Sequence, residues 1–165
     1  MAIIKPEIIE LLQYRINQEE ISSRLYKAMS RWLDMKGYVG AAKLWCKYSD
    51  EELTHVKCVE EYLQNLNILP ETRTIDEQPK KFKGLPNIVA LSYKHEVEIL
   101  EQCTNLYNKA LEAGDKMTAT LAHKFVEEQN DELGKLQLWL DMFELYGDSG
   151  ASLMMIDEKM GENAG

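Results

Sequence analysis

Paired cysteines, long apolar runs and surplus positive charge are all missing from this sequence, and prolines are few. The three cysteines, Cys46, Cys58 and Cys103, include no CxxC pair. An odd set without ligand spacing supports neither a disulfide framework nor a zinc knuckle, so they read as buried thiols of a reducing compartment. No apolar stretch nears the roughly 20 residues of a membrane helix, and the opening Met1-Ala-Ile-Ile-Lys5 is too weakly apolar for a secretory leader. These absences predict a cytoplasmic chain that does not engage a membrane. Lys and Arg number 19 against 28 Asp and Glu, a formal charge of -9, which argues against nucleic acid as a partner and suits a surface or cavity that attracts cations. With 45% hydrophobic and 28% charged residues over 165 positions, the composition is globular and supplies one domain, 1–165.

What is present is helix-forming sequence. The only prolines are Pro6, Pro70, Pro79 and Pro86, so 7–69 and 87–165 lack the strongest helix breaker. Glu, Leu, Lys, Ala, Met and Gln dominate both stretches. Pro6 suits a first helical turn, Asp115 a helix N-cap, and Gly37, Gly114 and Gly147 suit helix ends. The pattern predicts four long helices over 6–36, 40–66, 85–113 and 116–146, and a short fifth over 152–160. Short connections make the first pair and the second pair antiparallel. The 67–84 segment, carrying two prolines and the basic Lys80, Lys81 and Lys83, can stretch about 60 Å at ~3.3 Å per residue. That length permits a crossover that leaves the second and third helices parallel; a loose interdomain linker is the alternative. The expectation is an all-α four-helix bundle with a long crossover between helices 2 and 3 and a short fifth helix at the end.

Following each apolar face at 3-4 spacing produces four seams. They run Leu12, Ile16, Glu19, Ser23, Tyr26; then Trp45, Tyr48, Glu52, His55, Val59, Tyr62, Leu66; then Leu85, Val89, Ser92, Glu96, Ile99, Cys103; and finally Phe125, Gln129, Glu132, Leu136, Trp139, Phe143. Each seam carries a glutamate near its middle. A buried carboxylate costs several kcal/mol unless paired or bound to a cation, and several together repel. Few Lys or Arg fall in these seams to pair with them. Carboxylates with one imidazole suit a hard metal ion, iron or manganese ahead of zinc. The phase is not unique, since Glu20 and Glu51 stand beside Glu19 and Glu52. His95 and His123 fall off the seams as surface or packing residues, and the Trp and Met residues read as core.

Five stretches together resemble the bacterial non-haem ferritins: Asn17-Gln-Glu-Glu-Ile-Ser-Ser-Arg-Leu-Tyr26, Gly40-Ala-Ala-Lys-Leu, Asp50-Glu-Glu-Leu-Thr-His55, Tyr93-Lys-His-Glu96 and Glu127-Glu-Gln-Asn-Asp-Glu132. The resemblance covers nearly the whole chain and implies a ferritin-like fold and iron storage. It further implies a ferroxidase centre in which Glu19, Glu52 and His55 take one iron. Glu52 would bridge to a second iron held by Glu96 with Glu132 nearby and Gln129 at a polar position. Tyr26 matches the tyrosine beside that centre, and Glu51, Glu128, Asp131 and Glu132 match a third iron site. The same resemblance implies Fe(II) with oxygen or peroxide as reactants and a homo-oligomeric shell of 24 subunits. It also implies a fifth helix, with Leu153, Ile156 and Met160 on one face, packed against neighbouring subunits. Leu53 stands where a haem-binding relative has methionine, and Asn130 to Lys135 holds no second Glu-x-x-His, so no haem is expected. The competing readings are a ferritin-like di-iron or di-manganese oxidase and a non-catalytic shell or scaffold subunit.

Overall fold

The computed structural model describes residues 4–165; Met1–Ile3, the start of the stretch judged too weakly apolar for a leader, lie outside them. Its elements are α1 (Pro6–Met35), α2 (Val39–Asn65), α3 (Leu85–Glu112), α4 (Lys116–Tyr146) and α5 (Gly150–Ala164), with no strand among the described residues. The boundaries follow local chemistry. Pro6 stands at the start of α1 and Pro86 in the first turn of α3, where a missing N–H costs nothing. Asp115 caps α4 by accepting from the Thr118 amide at 3.0 Å and the Thr118 hydroxyl at 2.6 Å. α2 closes through Asn67, held at φ 59°, a conformation Asn tolerates better than most residues.

Two apolar clusters divide the bundle lengthwise. One joins Met29 and Leu33 of α1 to Trp45 of α2, Leu85 and Ile88 of α3, and Trp139 of α4. The other joins Ile8 and Leu12 to Val59 and Leu63, Ile99 and Leu106, and Phe125. The beginnings of α2 and α3 share one cluster and their ends share the other, so these helices run parallel, while α1 and α4 run against them. The crossover required by that arrangement is laid along α1. The Gln13 carboxamide donates to the Leu69 carbonyl at 3.0 Å and accepts from the Glu71 amide at 2.8 Å. Further on, Asn17 donates to the Thr74 carbonyl at 3.3 Å, and Phe82 lies edge-on to Trp32. A loose linker would not be tied to the helix at these successive points.

The polar interruptions in the seams are satisfied across the bundle. Ser23 and Ser49 each donate to the other's carbonyl, at 2.9 and 2.7 Å, locking α1 to α2. The Trp45 indole N–H donates to Ser92 at 3.0 Å, joining α2 to α3.

α5 departs from expectation. It runs from Gly150 to Ala164 instead of stopping near residue 160, and Ile156 and Met160 are fully buried in this chain's own upper cluster. The apolar face expected to await neighbouring subunits is therefore largely used within the chain. Docking depends on two glycines. A Cβ on Gly161 would sit 3.0 Å from the Gly40 Cα, and one on Gly40 would sit 2.0 Å from the Asp157 carbonyl oxygen. At that crossing the Asp157 carboxylate accepts from the Gly40 and Ala41 amides at 3.3 and 2.7 Å. α2 has no side-chain cap from Tyr38, so α5 supplies one.

Of the cysteines, Cys103 is buried as expected, whereas Cys58 is half-buried and Cys46 exposed. Cys46 falls one position past the Trp45 seam residue, on the outward face of α2.

Candidate metal centre

Between the two apolar clusters, the inward faces of all four long helices carry polar groups. Glu19 on α1, Glu52 on α2 and Glu96 on α3 are each no more than 5% exposed. Their neighbours Glu20 and Glu51 are less enclosed, which settles the phase left open by the doublets. On α4 the buried polar residue at this level is Gln129; Glu132 is half-exposed and paired with Lys135 at 3.2 Å. The fourth carboxylate thus stands at the wet edge of the site, because Glu132 lies about 300° around α4 from Gln129 at 100° per residue, enough to reach the cleft.

Among the described residues, one set of potential metal ligands converges tightly: Glu19, Glu52 and His55 place one ligand atom each within 4.8 Å of one another. His55 Nδ1 lies 3.5 Å from both the Glu19 and the Glu52 carboxylate. Its other nitrogen, Nε2, faces Glu128 at 3.2 Å. A carboxylate on the far side of a ligating imidazole fixes its orientation and makes it a better donor. Glu19 Oε2 is buried with no hydrogen-bond partner. An orphaned acceptor among hard oxygen donors and an imidazole is what a cation-binding site presents when built from these residues.

Glu96 is held apart from that set. The Tyr26 hydroxyl donates to one of its oxygens and the Gln129 amide to the other, and Gln129 also donates to the Glu96 carbonyl at 3.1 Å. The Glu96 carboxylate is thus oriented by α1 and α4 together. Of the residues matched to a third iron site, Glu51, Glu128, Asp131 and Glu132 line a cleft of about 280 Å³ next to Glu52 and His55, and Lys135 projects into the same cleft. Asp131 is exposed on its rim.

The electrostatics are those of crowded acids. Burial pushes Glu52 well above the usual carboxylate range and the negative Glu19 pushes it further. Burial likewise raises Glu96, against the hydrogen bonds from Tyr26 and Gln129, to about 7. Burial alone would raise Glu19 too, but the Arg15 guanidinium and the adjacent Glu52 and His55 hold it down to about 2. For His55, burial favours the neutral ring, yet Glu19 and Glu52 outweigh it and lift the pKa to about 11. The shifts of Glu52, Glu96 and His55 all favour their protonated forms, which relieves the repulsion among crowded acids.

The sequence reading missed Arg15. It is 2% exposed, with Nε 3.1 Å from Glu19 Oε1 but poorly aligned for a hydrogen bond. The signal was available as the four-residue spacing to Glu19 on one helical face. His95, set aside as packing, does pack edge-on against Tyr26 and is hydrogen-bonded to Ser22 at 2.7 Å. His123 is exposed and pairs with Glu127.

Comparison with known proteins places this geometry among relatives. A ferritin-like domain model matches residues 9–146. The bacterial non-heme ferritin of Escherichia coli O6:H1 is 31% identical over 157 residues, 95% of each chain. That of Campylobacter jejuni is 26% identical, over 94% of this chain and 93% of its own. Among solved structures, an open-pore ferritin from the archaeon Archaeoglobus fulgidus superposes with a TM-score of 0.94 over 98% of both chains at 23% identity.

Proposed function

The chain belongs to the ferritin family, and from that premise we propose that it stores iron, oxidising Fe(II) at the Glu19–Glu52–His55 centre and passing the product to a mineral. The observation that carries this reading is the buried convergence of those three ligands around an unpartnered Glu19 oxygen. Hard anionic oxygens favour Fe(III) over Fe(II), because the electrostatic gain grows with ionic charge. Two Fe(II) ions give one electron each to oxygen, which takes up two protons and leaves as hydrogen peroxide; peroxide can serve in turn as oxidant.

The chain's own groups divide the remaining work. His55 releases a proton as metal enters. Tyr26 and Gln129 aim the Glu96 carboxylate, making Glu96 the ligand on which a second iron would rest, with Glu52 between the two and Glu132 at the wet side. Glu51, Glu128 and Asp131 would guide ions into or out of the centre from the cleft. The acidic surface draws Fe(II) inward. The reading includes a cytoplasmic homo-oligomeric shell, with 24 copies taken from the family alone.

The oxidase alternative requires an apolar chamber beside the metals. The cleft that touches the centre is instead lined by Glu51, Glu128, Asp131, Glu132 and Lys135, and Trp45 and Phe125 fill the interior to either side. Anaerobic loading with Fe(II), then oxygen, separates the readings. Storage predicts rapid oxidation and continued iron retention with repeated additions, an oxidase saturates near two irons, and a scaffold does not accelerate oxidation. Loss of the fast phase in Glu52→Ala and His55→Ala, with assembly intact, is the expected result; unchanged initial rates would refute the assignment.

A further inference from the structure

Among the described residues, Arg15 is the one buried charged side chain whose charge the oxidation scheme does not use. It is 2% exposed. Its Nε lies 3.1 Å from Glu19 Oε1, and Nη2 donates at 2.9 Å to Gln102 Oε1, whose amide in turn donates to Gln18 Oε1 at 3.2 Å. The guanidinium is therefore held between α1 and α3 by the Gln102–Gln18 pair, at the wall of a cavity of about 430 Å³ that Glu98 and Glu101 also line. It does not deprotonate in proteins. Any ion entering against Glu19 Oε2 consequently meets a permanent positive charge on the opposite oxygen of its own ligand.

We propose that Arg15 is a built-in counter-cation that loosens the centre's hold on metal, and on trivalent ions more than divalent ones. The inference rests on the metal-binding reading above and specifies how that site is tuned. Repulsion scales with the charge of the entering ion. Oxidation therefore raises the penalty at the moment the ion should move on, and the centre behaves as a place of transit. The pairing sets Glu19 Oε1 beside the guanidinium and leaves Oε2 facing His55 Nδ1 at 3.5 Å. A purely structural Arg15 makes the opposite prediction: without it Glu19 would lose its place and metal binding would weaken. The sign of the change decides.

The test is anaerobic calorimetric titration with Zn(II) and luminescence titration with Tb(III), on the full chain and on Arg15→Gln, Gln102→Glu and Glu52→Ala, with helicity checked for each. Arg15→Gln should bind Zn(II) about tenfold more tightly, and charge scaling then gives roughly thirtyfold for Tb(III). Gln102→Glu keeps Arg15 but offers its guanidinium a competing carboxylate; it should tighten Zn(II) by about threefold and decides the matter alone if Arg15→Gln does not fold. Equal or weaker binding in the folded variants overturns the proposal. Should the unaltered chain and Glu52→Ala take up Zn(II) identically, the metal site itself fails, and this inference with it.

Discussion

The crossing of α2 and α5 allows a single methyl group to test how the bundle end is closed. In Gly40→Ala the new Cβ would lie 2.0 Å from the Asp157 carbonyl oxygen and 2.9 Å from its carbon. Both are backbone atoms, so no side-chain rotation relieves the overlap; α5 has to move by more than an ångström. Two contributions are then at risk. The Asp157 cap on Gly40 and Ala41 is worth about 1 kcal/mol. Burial of Ile156 and Met160, both inaccessible in the docked helix, is worth about 1.5–3 kcal/mol each. Full release would cost about 4–7 kcal/mol, and partial re-docking roughly half of that. Asp157→Ala removes only the cap and should cost about 1 kcal/mol. Urea unfolding gives the stabilities, and amide hydrogen exchange along Gly150–Ala164 shows whether α5 is released. Gly40→Ala no more costly than Asp157→Ala, with α5 amides still protected, would refute the close-approach reasoning.

Other consequences are equally direct. With His55 lifted to about 11 by Glu19 and Glu52, the imidazole holds a proton at pH 7 and must lose it to ligate. Zinc loading in weak buffer should therefore release about one proton per ion from His55, read with an indicator dye; no release would contradict the proposed protonation state. Burial pushes the Cys103 thiol up to about 12, so an aromatic disulfide reagent should label exposed Cys46 at once and Cys103 only on unfolding. Gln13→Ala cuts both crossover hydrogen bonds, to Leu69 and Glu71, and should cost about 1–2 kcal/mol in thermal unfolding, with faster proteolysis confined to 67–84.

Much of this architecture was legible because its determinants are local. Pro6, Pro86, Asp115 and Gly114 act within one turn of themselves, and the four long helices begin and end within a residue or so of where these residues put them. The seams were legible for a related reason: helical periodicity alone brings Ile16, Glu19, Ser23 and Tyr26 to one face, and all four are buried. What escaped depends on partners distant in sequence. α5 continues past residue 160 and brings Gly161 against Gly40, and nothing near Gly161 signals that contact. Glu132 reads as inward by spacing, yet Gln129 takes the buried position and Lys135 draws Glu132 to the edge. The convergence of Glu19, Glu52 and His55 was inferable as shared faces, but their separation from Glu96, which Tyr26 and Gln129 hold between them, required coordinates.

The central claim is that the three-ligand group on α1 and α2 receives iron. Crystals of the full chain soaked anaerobically in Fe(II) and measured at the iron absorption edge test it most directly. The account predicts an anomalous peak between the Glu19 and Glu52 carboxylates and His55 Nδ1, absent from Glu52→Ala. Iron found only on the exposed acidic surface, with those three side chains still ligating nothing, would contradict it.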